Sequence, residues 1–318
     1  MSGSGFLKIV WCSLEVNPVR PAFYSAARTA RSLGRCKDGV VTPASGPVLQ
    51  RSTALTQFLL APNPGPMSLE GTNSYVLRAP GSPAAVVVDP GPLDEAHLQA
   101  LAAARTVDLI LVTHRHADHT AGSARLHELT GAPVRAADKA HCHGGGAPLK
   151  DGQAILSGGL EVRVVATPGH TSDSVCFHLP ADGPHGSVLS GDTILGRGTT
   201  MLDYPDGTLG DYLASLDKLE ALGSAAVLPA HGPTLPSLAD VARAYRSHRL
   251  ERLAQVRAAL ARLGAEASAG DVADVVYADV DPSVRRAAET SVSAQLHYLR
   301  GDAGQRRAWG VTPGETVG

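Results

Sequence analysis

The chain has 318 residues, of which 43% are hydrophobic, and a formal net charge of −2. That length allows one large domain or two modest ones, and the near-neutral charge excludes a surface tuned throughout for nucleic acid. No apolar run reaches the roughly 18 residues that a membrane-spanning helix needs.

The N-terminal stretch FLKIVWC is interrupted by Lys8 and followed by no small-residue cleavage site, so it does not read as a secretory signal. Residues 19–37 are basic without an acid, faintly like a mitochondrial transit peptide. The preferred reading makes residues 1–50 a disordered extension outside the fold, with a cytoplasmic location and a mitochondrial one as the lesser alternative. Cys12, Cys36, Cys142 and Cys176 are scattered with no C-x-x-C spacing, which predicts a reducing compartment, no disulfide framework and no cysteine zinc site.

From residue 51 the pattern becomes that of a folded domain, expected to run to about 240. STALTQFLLAPN and NSYVLRAP read as short strands around a Pro/Gly-rich turn. AAVVVDPG is a buried strand, EAHLQALAAA a helix and VDLILVTH a second buried strand. TAGSARLHELTG reads as one helix capped at Gly131, followed by a strand in PVRAA. LEVRVVATPG, SVCFHLP and GSVLSGD form a run of strands before the helix TLGDYLASLDKLEAL, which stops at Gly223, and AAVLPAHG is one more strand. Strands arriving as adjacent runs favour two packed sheets with helices outside over one doubly wound sheet. Residues 241–318 read as three helices, the first with Leu250, Leu253, Val256 and Leu260 at helical spacing, then a short edge in QRRAWGVT. That makes a small winged-helix-like module.

The chemistry concentrates in ILVTHRHADHTAG, where His114, His116, Asp118 and His119 follow an apolar strand. Histidine and aspartate are costly to bury unless something binds them, and a metal ion is the commonest such partner. More ligands should then lie at other strand ends. His170 follows the strand ending VVATPG, Asp192 follows SVLSG, and His231 follows AVLPA. One isolated histidine is more often a hydrogen-bonded core or loop residue, but independent structural roles do not explain seven at strand exits. The set is enough for two metals sharing Asp192. His141 and His143 lie among glycines and read as loop residues rather than ligands.

THRHADH, TPGHTSDS, SGDT and PAHGP resemble the motifs of the metallo-β-lactamase fold superfamily over about residues 52–240. GTNSYVL, LKDGQAI, SGDTILGRGTT, YLASLDKL and HRLERLAQVRAAL resemble the lactamase-β-like-2 group, whose characterised members include a single-strand-specific endoribonuclease. The resemblance implies a four-layer αββα sandwich and two zinc ions, with iron or manganese compatible with the same residues. It places His114, His116 and His170 on the first metal, Asp118, His119 and His231 on the second, and Asp192 between them.

Two such metals, about 3.5–4 Å apart, lower the pKa of a shared water toward neutrality, and Asp118 can orient the resulting hydroxide. The expected activity is hydrolysis of a phosphodiester such as single-stranded RNA, with thioester hydrolysis of the glyoxalase II or acyl-carrier type as the alternative. A mononuclear-iron persulfide dioxygenase and a non-catalytic nucleic-acid-binding module are lesser readings. Arg243, Arg246, Arg249, Arg252, Arg257 and Arg262 could track a phosphate backbone, although a solvated helix face is the preferred explanation, since no aromatics are interleaved. Asn73, Tyr75 and residues 196–200 are candidates for the mouth of the site. The expected partner is a small-molecule ester or thioester, or a single-stranded nucleic acid, and no membrane.

Overall fold

The computed structural model describes residues 48–278 and 285–308; residues 1–47 of the expected extension lie outside these, and its last residue, Gln50, already belongs to the first strand. Two sheets stack face to face. The first holds β1 (Gln50–Arg51), β2 (Thr56–Leu60), β3 (Asn73–Leu77), β4 (Ala84–Val88), β5 (Thr106–Leu111) and β6 (Val134–Arg135), in that order. The second runs β11 (Ala226–Pro229), β10 (Ser187–Gly191), β9 (Val175–Leu179), β8 (Leu160–Ala166) and β7 (Ala154–Ser157). Strands β4, β5 and β6 pair in parallel, as do β10 and β11, and the other pairings are antiparallel.

The period-two alternation of a strand explains the layering. In β4, Val86 and Val88 turn toward the second sheet and pack with Val162, Phe177 and Leu189. Ala85 and Val87 turn the other way, under Leu98 and Leu101 of α1 (Glu95–Ala104) and Leu126 of α3 (Ser123–Thr130). The outer face of the second sheet, with Val165, Val188 and Val227, is covered by α4 (Leu209–Glu220) and the first half of α5 (Leu238–Leu263). The result is the expected four-layer αββα sandwich, whose strands are apolar on both faces because both are covered.

Four local readings change. The helix expected from residue 120 starts only at Ser123, as α3, and a separate short helix, α2 (Ala117–Thr120), precedes it. The break falls at Gly122, whose N–H is diverted to the Gly91 carbonyl at 3.0 Å. Helix α5 crosses residue 240 without interruption, joining the sandwich to α6 (Ala269–Val276) and α7 (Arg285–Ala308) through Val256 and Ala259. Leu250 is 40% exposed, because the buried stripe of α5 runs through Ala242, Tyr245, Arg249, Leu253 and Val256. Residues 305–308, expected in an edge strand, continue α7, and the rest of that stretch lies outside the described residues.

Candidate metal centre

Four strand ends converge on one point of the rim between the sheets. β5 delivers His114 and His116, with Asp118 and His119 in α2; β8 leads to His170, β10 to Asp192 and β11 to His231. The close approach depends on Gly191. Its φ of +49° disfavours any side chain, and a Cβ there would lie 2.8 Å from Thr113.

Two donor groups result. His116 Nδ1 lies 3.0 Å from His114 Nε2 and 3.1 Å from His170 Nε2. Across the cluster, His231 Nε2 lies 3.2 Å from Asp118 Oδ2 and 3.3 Å from Asp192 Oδ1. His119 Nε2 lies 3.5 Å from that Asp118 oxygen and 3.6 Å from that Asp192 oxygen. The other Asp192 oxygen, Oδ2, is 3.7 Å from His170 Nε2, so its carboxylate faces both groups. Tetrahedral ligands at zinc bond lengths stand about 3.3 Å apart, close to these separations. His119 Nε2, His231 Nε2 and Asp192 Oδ1 are buried and make no hydrogen bond, as expected of donors aimed at a shared cation. The residues present fit two metal ions.

Each histidine is held by its outer nitrogen, which fixes ring orientation and leaves the inner one as ligand. His170 Nδ1 faces the Met201 carbonyl at 2.6 Å and His231 Nδ1 the Gly71 carbonyl at 3.1 Å. His114 Nδ1 meets Thr113 Oγ1 at 3.1 Å, and His116 Nε2 meets Asp203 Oδ2 at 3.2 Å. His119 Nδ1 meets Asp89 Oδ2 at 2.9 Å. Asp89 also accepts from the Thr113 N–H at 2.8 Å and the Thr113 hydroxyl at 2.7 Å. Its φ of +50° is strained for a residue other than glycine.

Burial pushes His114 and His170 below the ordinary imidazole range, toward the neutral form that binds metal. Burial opposes charge on His119 and His231 too, yet neighbouring carboxylates win. Asp89 and Asp192 raise His119, and Asp192 with Asp118 pushes His231 up to about 11. Asp192 is buried as well, but His231 and His119 hold it well below the usual carboxylate range.

All seven sequence-predicted ligands therefore meet. His141 and His143 belong to none of the metal-competent groups among the described residues. Asn73 and Tyr75 hold the strand end before His231 rather than line the mouth: Asn73 Nδ2 donates to the Pro229 and Gly232 carbonyls and the Tyr75 hydroxyl to that of Pro229. Thr200 is buried against His170. Asp89 and Asp203 were not among the predicted site residues. Asp89 carried the same signal as the ligands, a carboxylate at a strand exit before Pro-Gly. The arginine row is largely committed elsewhere. Arg243 pairs with Glu220 and Asp240, and Arg246 with Asp217. Arg249 is buried, Arg252 reaches Gln255 and Tyr277, and only Arg257 and Arg262 remain as exposed candidates.

Comparison with known proteins agrees with this geometry. Residues 67–231 match the family model for the metallo-beta-lactamase superfamily. The chain is 30% identical over 271 residues to a beta-lactamase-like protein 2 homolog of Caenorhabditis elegans, covering 80% of this chain and 86% of that protein. It is 35% identical over 187 residues to an atrochrysone carboxyl ACP thioesterase of Aspergillus fumigatus, covering 57% of this chain and little more than half, 56%, of the thioesterase. A beta-lactamase domain protein from Burkholderia ambifaria shares the fold with a TM-score of 0.68 at 24% identity, covering 83% of this chain and 91% of that one. The chain belongs to the metallo-β-lactamase superfamily.

Proposed function

We propose that the chain is a hydrolase with two zinc ions, acting on acyl thioesters or esters. The observation that carries this reading is the pair of donor groups joined by the Asp192 carboxylate. When bound, two such ions supply a nucleophilic hydroxide near neutral pH and polarise the oxygen under attack. A single iron, as in a persulfide dioxygenase, would leave the complete second donor group without a role.

The chain's own residues divide the remaining work. The Asp118 side chain is 32% exposed, whereas those of His119 and His231 are 0% and 1% exposed. Asp118 is thus the ligand that faces incoming water and can orient it. His116, 31% exposed, flanks the same opening. No side-chain nucleophile is needed, and burial pushes the Cys176 thiol up to about 11, away from the thiolate form. In thioester cleavage the water oxygen bonds to the carbonyl carbon, the C–S bond breaks, and a water proton ends on the departing thiolate.

Thioesters come first because the arginine row is mostly consumed by α4 and the core, and because one relative is named for acyl-carrier thioesterase activity. This reverses the order expected from sequence. The phosphodiester reading keeps one specific support: the likeness to the beta-lactamase-like protein 2 homolog covers 80% of the chain. Turnover of an acyl-pantetheine thioester, a simple phosphodiester and a short single-stranded RNA, with and without chelator, separates the two. Chelator-sensitive thioester cleavage alone supports the first reading, and RNA cleavage alone the second. Asp118→Ala and Asp192→Ala should each lower kcat by more than about 100-fold while the protein stays folded by circular dichroism. Full activity in both would contradict the mechanism.

A further inference from the structure

Arg249 is a charged side chain in the wrong place for a surface helix. It lies on the inward face of α5, 8% exposed, with its guanidinium carbon 5.1 Å from the centre of the Tyr212 ring. No carboxylate pairs with it among the described residues, and its Nε makes no hydrogen bond. A buried guanidinium without a counter-charge is expensive, so its burial calls for a specific contact. Its Nη2 donates to the Thr200 carbonyl.

Thr200 begins the loop that wraps the first donor group. Its hydroxyl lies 3.1 Å from His170 Nδ1, and the next carbonyl, of Met201, lies 2.6 Å from the same nitrogen. Further along, the Asp203 N–H donates to the His170 carbonyl at 2.9 Å, and the Asp203 carboxylate faces His116 Nε2. This one loop therefore orients two of the three histidines of the group. It has no regular secondary structure of its own between residues 196 and 206. It is fixed by contacts from outside it: Arg249 at Thr200, Arg115 at Asp203 and Asp206, Ser172 at Asp206, and the ring of His297 from α7, 5.6 Å from that of Tyr204.

We propose that Arg249 is a positioning residue for the His114–His116–His170 metal, holding the Thr200–Met201 segment so that His170 Nε2 points into the group. The inference rests on the dinuclear reading of the site. It also gives the C-terminal helices a role in the metal centre, since α5 reaches the centre without contributing a ligand.

The test is metal binding, independent of turnover. Two dissociation constants are measured by chelator competition for the parent chain, Arg249→Met, Arg249→Lys and Thr200→Val, and the visible spectrum of each cobalt(II)-loaded protein is recorded. Arg249→Met should weaken one of the two sites by about 10- to 100-fold and alter the cobalt bands of that site only. Arg249→Lys, which keeps a donor, should recover part of the loss. Thr200→Val removes only the hydroxyl and should weaken the same site, and combined with Arg249→Met it should cost less than the sum. If Arg249→Met does not fold, Arg249→Lys carries the test, with a smaller weakening of the same site expected and parental constants contradicting the inference. Parental constants and spectra in the variants, even with a lowered melting temperature, would overturn this inference alone. A parent chain that takes up no metal would overturn the dinuclear reading and this inference together.

Discussion

Asp89 carries three hydrogen bonds at the base of the metal centre, to His119 and twice to Thr113, from a backbone conformation that costs energy to hold. Removing the charge keeps the shape but loses one acceptor, so Asp89→Asn should lower metal affinity at the Asp118–His119–His231 group by about 10- to 100-fold. Chelator competition measures this, and unchanged affinity would mean that His119 needs no such partner. The convergence of the seven candidate ligands was legible in the chain because each stands at or just beyond the exit of an apolar strand, and strand ends converge when sheets stack. The partners of those ligands were not. Which carboxylate or carbonyl meets the far nitrogen of a histidine depends on loops far away in sequence, as with Asp203 beside His116 or Gly71 beside His231.

At the scale of elements, the apolar runs named nearly every strand and helix. Strands β1 and β7 are the exceptions: β1 is a two-residue edge at the expected start of the domain, and the pairing of β7 with β8 turns on Gly158-Gly159, both at positive φ, with Ser157 opposite Leu160. Two glycines between short apolar runs are a hairpin signal that was available in the sequence. In α5 the aliphatic pattern put Leu250 in the core, whereas the packed stripe uses Tyr245 and Arg249, which aliphatic periodicity does not count. Packing also decides which substitutions matter. Phe177 is fully buried between the sheets, so Phe177→Ala should destabilise the fold by about 3–5 kcal/mol. Leu156 on β7 is 83% exposed, and Leu156→Ala should change stability by less than about 0.5 kcal/mol. Denaturant midpoints check both, and comparable losses would contradict the assignment of the core to the space between the sheets.

The whole molecule should be sensitive to mild acid for reasons beyond its metal centre. Burial lowers His97 and His248 to about 4, and for His248 the nearby Arg249 and Arg252 add to the effect against the weaker pull of Glu251. Neither His248 ring nitrogen has a hydrogen-bond partner among the described residues. The folded state excludes these protons while the unfolded chain accepts them below about pH 6.5. Stability is therefore at its full value above about 6.5 and falls as the pH drops toward 4. His248→Gln should show a smaller loss of Tm between pH 7.5 and 5 than the parent, and an equal loss would contradict it. The layered architecture that sets these environments was legible from the order of strands and helices. The expected C-terminal strand was not found where residues 305–308 continue α7, and the expected boundary at 240 falls inside α5, because one helix serves both the sandwich and the helices that follow.

Metal content of the purified chain beside that of Asp192→Ala is the most direct test of the account. Elemental analysis should find close to two zinc ions per parent chain, with chelation abolishing hydrolysis, and a marked loss of metal when the shared carboxylate is removed. One iron per chain without hydrolysis, or metal content unchanged in Asp192→Ala, would contradict a dinuclear centre built around Asp192.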